Sequence, residues 1–94
     1  MAKKAEKVII TVLGKDKTGI VATISTALAR LGANIEDMSS TKMQDMFVML
    51  VLADISKAKK NFAGFRSDLE LVGKKAGLQV MVQHEDIFTY MHRV

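Results

Sequence analysis

Cysteine, proline and tryptophan are all missing from this 94-residue chain, and only four phenylalanines and one tyrosine supply aromatic rings. Without cysteine there is no disulfide framework, no thiolate metal site and no thiol nucleophile, and a reducing compartment suits the chain. Without proline, and with six glycines, no stretch reads as an interdomain linker, and no internal repeat or low-complexity tract is visible. No apolar run approaches the roughly 20 residues that cross a bilayer. The opening Met1-Ala2-Lys3-Lys4-Ala5-Glu6-Lys7 is charged and has no apolar signal core, so the expected location is the cytoplasm.

What is present fits one globular domain over residues 1–94, with 1–6 expected to be flexible: 49% hydrophobic residues, 26% charged and a net charge of +4. The lysines are dispersed along the chain rather than clustered, which is the pattern of a solvated surface and not of a nucleic-acid footprint.

Hydrophobic periodicity gives the order βαββαβ. Val8 to Leu13 is apolar on both alternating faces and reads as a central strand. Apolar residues at Ile20, Val21, Ile24, Leu28 and Leu31 recur at helical spacing, with Asp16 or Thr18 as candidate caps and Gly32 as a left-handed stop. Asn34 to Thr41 is extended but polar, as suits an edge strand. Gln44-Asp45 marks a hairpin tip, and Met46 to Ala53 is again apolar on both faces. Phe62, Phe65, Leu69, Val72 and Ala76 form the stripe of a second helix ended by Gly77, Leu78 to His84 alternates as a strand, and Ile87, Phe88 and Met91 suggest a short terminal helix. Right-handed crossovers fold this order into a ferredoxin-like α+β domain, a four-stranded antiparallel sheet in the order 4-1-3-2 with both helices on one face. Its other face would then be apolar and uncovered, with Met38, Met43, Met46 and Met49 near it, and a lone monomer is not expected.

Between the first strand and helix lies Gly14-Lys15-Asp16-Lys17-Thr18-Gly19, a tight turn opening into a helix N-terminus. Backbone N–H groups and the helix dipole favour a small anion there, a carboxylate or a phosphate. Other chemistries on this topology lack their residues. An RNA-recognition surface stacks bases on aromatics of the central strands, where only Phe47 is found. A hydrolase would need a phosphate loop with an arginine and a base nearby, but the turn has only lysines, and His84 and His92 come at the far end. His84, Glu85 and His92 are too sparse for a metal centre, and no cofactor is expected.

Val8 to Gly14, Asp16, Gly19-Ile20 and then Gly32-Ala33-Asn34-Ile35 resemble the opening of an ACT domain: a strand, a Gly-x-Asp-x-x-Gly-Ile turn, and a helix leading into Gly-x-Asn-Ile. The whole chain is similar to small stand-alone ACT proteins of bacteria and archaea, and to the ACT segments of the glycine cleavage repressor and formyltetrahydrofolate deformylase. The resemblance implies a non-catalytic regulatory module that pairs with itself and binds an amino acid or related effector near the first turn. Carried over by position, Gly14, Asp16, Thr18, Gly19, Ile20, Asn34 and Ile35 are the candidate ligand-binding residues. Backbone N–H groups of Gly19 and Ile20 would face the α-carboxylate, and Asp16 or Asn34 the α-ammonium. Nothing else on the chain is there to be regulated, so the implied output is a partner enzyme or regulator.

Overall fold

The computed structural model describes residues 6–15 and 17–86. Six elements follow the expected order: β1 (Lys7–Gly14), α1 (Lys17–Leu31), β2 (Asn34–Met43), β3 (Met46–Asp54), α2 (Phe62–Lys75) and β4 (Gln79–His84). The strands form one antiparallel sheet in the order β2-β3-β1-β4, the order read from the sequence, with the two greasiest strands inside. The terminal helix expected over Ile87, Phe88 and Met91, and His92 with it, lie outside the described residues.

Alternation settles which side of the sheet is core. Val8, Ile10 and Val12 of β1, Phe47, Met49, Val51 and Ala53 of β3 and Val82 of β4 are buried against Ile20, Ile24, Ala27 and Leu28 of α1 and Phe65 and Leu69 of α2. Met49 therefore belongs to the core and not to the opposite face, because its register partner is Val12 and its neighbours Phe47 and Val51 point the same way. Met38 shares the helix side with Val51, while Met43 and Met46 pair on the open side as expected. Ala76 also departs from the expected stripe: it is the exposed C-cap of α2, and Gly73 takes the buried place. A Cβ on Gly73 would run into the Val80 side chain, so only glycine lets this end of α2 lie against β4.

Both helices stop by the same device. After α1, Gly32 turns left-handed at φ 81°, with its N–H donating to Ala29 and that of Ala33 to Leu28. After α2, Gly77 at φ 74° repeats the pattern with Lys74 and Gly73. At its start α2 is capped by Asn61, whose Oδ1 accepts from the Gly64 N–H at 3.0 Å. Helix α1 begins at Lys17, so Thr18 lies inside the first turn and is not its cap, and Asp16, the other candidate, lies outside the described residues. Between β2 and β3 the hairpin turns at Gln44, which adopts φ 57°.

Candidate functional site

In sheet coordinates β1 and β3 run from a lower end, where Lys7 faces Asp54, to an upper end, where Gly14 faces Phe47. The turn before α1 is at the upper end. Asn34 pairs with Asp54 and so sits at the lower end. Seven strand steps, about 23 Å, separate them. One chain therefore does not bring the turn and the Asn34-Ile35 pair together.

Each end has a hollow of its own. The upper one, about 290 Å³, is lined by Lys15 of the turn, Ser40, Thr41 and Lys42 of β2, Asp45 of the hairpin and Phe47. The lower one, about 340 Å³, is lined by Gly32, Asn34, Asp54, Ser56 and Lys57. Both offer an acid and a base within a small polar concavity, which matches the two charges of a zwitterion. Of these residues only Asn34 was among the sequence candidates. Lys42 and Asp45 meet Lys15 only through the β2–β3 register, and Asp54, Ser56 and Lys57 meet Asn34 only through the loop after β3.

The remaining candidates sort by position. Gly14 is buried at the upper end of β1, where a Cβ would come within 2.5 Å of Leu78 Cδ2 and 2.6 Å of Ile20 Cδ1. Its small size therefore serves strand–helix packing rather than access for a ligand, and the side chain of Ile20, 1% exposed, is core. Gly19 is half-buried in the first turn of α1, and Thr18 is exposed there. Ile35 is 38% exposed on the helix side of β2, opposite Ala53.

Strand β2 is the feature that the two hollows share. All ten of its residues are exposed, on both faces, because the helices cover β1, β3 and β4 and leave this edge bare. A bulge between Ile35 and Asp37 and the charges of Glu36 and Asp37 guard its lower end, but Met38 to Thr41 carries no charge. Such an edge is a template for another strand. The opposite edge, β4, is only six residues long.

Electrostatics at the lower end are local. The Asp54 carboxylate accepts the Ser56 N–H at 2.8 Å, which with the Ser56 side chain and nearby Lys7 holds its pKa below the ordinary aspartate value. Lys7 bonds Glu36 at 2.9 Å, and that carboxylate raises the lysine pKa. A depressed carboxylate stabilises the fold above its unfolded pKa, near 4, and loses the contribution as pH falls through the folded value; a raised lysine stabilises below about 10.4 and loses the contribution as pH rises past its folded value. Asp54→Asn is accordingly expected to lower the melting temperature at pH 7, with a smaller gap to the wild type at pH 3. Equal gaps at both pH values would show that Asp54 is not charge-stabilised.

At the lower end of β4, His84 Nε2 lies 3.3 Å from Glu6 Oε2, and the ring packs edge-on to Phe62 at 5.5 Å. The Asp86 N–H donates to Nδ1 at 3.3 Å, and the Asp86 carboxylate lies 3.4 Å from the same nitrogen. Among the described residues no three metal-binding side chains converge, and no helix is long and apolar enough to cross a membrane.

A four-stranded antiparallel sheet in this order, backed by two helices on one face, defines the ferredoxin-like class of α+β domains. Within that class the chain belongs to the ACT domain family, whose model matches residues 6–83. A UPF0237 protein of Methanocaldococcus jannaschii is 53% identical over 94% of this chain and 98% of its own length. One from Clostridium acetobutylicum is 46% identical over 94% and 99%. Among solved structures, an ACT domain protein from Streptococcus pneumoniae superposes with a TM-score of 0.80 at 40% identity, covering 90% of this chain and 96% of that one. A formyltetrahydrofolate deformylase from Pseudomonas syringae shares the fold, with a TM-score of 0.75 at 18% identity over 87% of this chain and 28% of its own.

Proposed function

We propose that this chain is a non-catalytic amino-acid sensor whose binding site is completed by a second copy. The observation that carries the reading is the placement of two polar hollows at opposite ends of one bare strand edge. Two β2 edges that pair about a twofold axis normal to the sheet run antiparallel, so the upper hollow of one copy lies beside the lower hollow of the other. Lys15, Lys42 and Asp45 of one chain and Asn34, Asp54 and Lys57 of the next then face a shared space, and two equivalent sites arise per dimer. The same pairing covers Ile35 and Met38, which stand 38% and 39% exposed on the helix side of β2.

Ligand binding across such a seam strengthens the dimer, because a ligand that touches both copies binds only the paired state. A partner enzyme or regulator that recognises the paired form would then respond to the effector in the cytoplasm. Base stacking gains no support: Phe47, the one aromatic of the two central strands, is 4% exposed and belongs to the helix side.

Calorimetric titration of the full chain with each of the twenty amino acids tests the reading. Heat is expected from at least one, with Asp16→Ala and Asn34→Ala each weakening binding about a hundredfold or more, about 2.7 kcal/mol, so that little or no heat remains. No heat from any, or affinities unchanged in both variants, would defeat it.

A further inference from the structure

The face of the sheet turned away from the helices carries Ile9, Leu13, Val48, Leu50, Leu52 and Met81, and no described element of the chain packs over it. Leu50 is 44% exposed and Met81 54%. The face is not uniformly apolar. Its lowest row holds Lys7 and Asp54, and its β2 margin holds Asn34, Asp37, Ser39 and Thr41. The aliphatic part is therefore an island over β4, β1 and β3, and whatever fits it must be narrow and must meet charge at the lower end.

Residues 85–94 have that form. At about 100° per residue, Ile87, Phe88, Tyr90, Met91 and Val94 share one side of a helix, and Glu85, Asp86, Thr89, His92 and Arg93 share the other. Acids in the first turn and His92 and Arg93 in the last suit the helix dipole. The start is already built: Glu85 and Asp86 take helical backbone, and the Asp86 N–H donates to His84 Nδ1 at 3.3 Å, as to an N-cap side chain.

Direction follows from β4, which descends to the lower end, where His84 pairs with Val8 and the next residue, Glu85, comes level with Lys7. His84 faces the helix side, its ring against Phe62, and there α1 and α2 fill the space. Glu85 follows in the alternation and turns toward the open side. Lys7 is on that side, and although Glu36 does most to raise its pKa, the charges of Glu85 and Asp54 add to the shift. Ten helical residues are about 15 Å long, and β3 lies about 10 Å from β4 at the usual strand spacing, so such a stripe spans the island.

We propose that residues 85–94 form an amphipathic helix that lies across the open face of their own sheet and seats Ile87, Phe88 and Met91 on Ile9, Leu50, Leu52 and Met81. A segment joined to the face by the chain loses far less freedom on docking than a free partner, and a few aliphatic side chains then suffice to hold it. The helix is a strap that closes this face within each copy, with Glu85 beside Lys7 at its start. It does not depend on pairing through β2, and it leaves that edge open.

Methyl NMR of the full-length chain tests this. Overhauser contacts are expected from the Phe88 ring to the Leu50 or Leu52 methyls of the same chain. A paramagnetic cosolute should relax the Leu50 and Met81 methyls slowly, and to the same degree at tens and at hundreds of micromolar protein. Ile87→Asp with Phe88→Asp, which leaves the described core untouched, should raise that relaxation severalfold while the chain still unfolds in one cooperative transition. Equal relaxation in the wild type and the double variant would overturn the strap. Shielding that grows with concentration, or Overhauser contacts between labelled and unlabelled chains, would assign the cover to a second copy and overturn it as well. Were the double variant to unfold, the wild-type contacts from Phe88 decide alone, and their absence would overturn the proposal.

Discussion

Phe65→Ala is expected to lower the stability of the domain by about 3–5 kcal/mol, the cost of emptying a fully enclosed phenylalanine site. Phe65 is 0% exposed and is the largest wholly buried side chain among the described residues, packed from α2 onto the core that β1 and β3 present. A domain of this length holds about 5–14 kcal/mol in total, so the loss is a large share and should lower the melting temperature by at least about 12 °C. Leu71 on the same helix is 51% exposed, and Leu71→Ala should stay within about 0.5 kcal/mol of the wild type. Thermal denaturation of the two variants side by side checks the assignment of faces. Similar melting temperatures for both would mean that α2 does not dock by the stripe described.

The contrast between Phe65 and Leu71 was legible in the sequence, because three- and four-residue spacing marks Phe62, Phe65 and Leu69 as one face. The end of that stripe was not legible. Periodicity extends it to Ala76, whereas the chain buries Gly73, and the reason lies in Val80 on the strand that follows the helix. Strand burial followed a similar course. Two runs apolar on both faces, Val8–Leu13 and Met46–Ala53, are central as their composition requires, but which alternate residues meet the helices depends on register. Met49 looked equivalent to Met46 for that reason, but Met49 is fully enclosed and Met46 only half-buried.

For the candidate site, local pattern reached one end of the molecule at a time. The glycine-flanked turn and the Asn34-Ile35 pair are each visible as motifs. Their separation by the length of β1 follows only from the antiparallel pairing of Lys7 with Asp54 and of Asn34 with Asp54. Gly14 shows how a motif position can serve the fold: its missing side chain makes room for Ile20 and Leu78. Lys15, Lys42 and Asp45 gave no signal as a group because they are distant in sequence and meet only where the hairpin folds back beside the turn.

Mixing two inactive variants is the second experiment with a large expected effect, since it turns binding from absent to present. In a homodimer of Asp16→Ala both turns are altered, and in a homodimer of Asn34→Ala both lower hollows are altered. A mixed dimer combines the intact turn of the Asn34→Ala chain with the intact lower hollow of the Asp16→Ala chain at one site, and both defects at the other. Equal mixing gives half of the dimers in mixed form, so about a quarter of all sites should be intact. Each variant alone should give little or no heat with the effector amino acid.

That titration addresses most directly the claim that the pocket spans two chains. The two variants are unfolded together, refolded as an equimolar mixture and titrated with the amino acid that the wild type binds. Recovery of wild-type affinity in about a quarter of the sites is the expected result; a mixture as silent as its components would contradict the shared pocket.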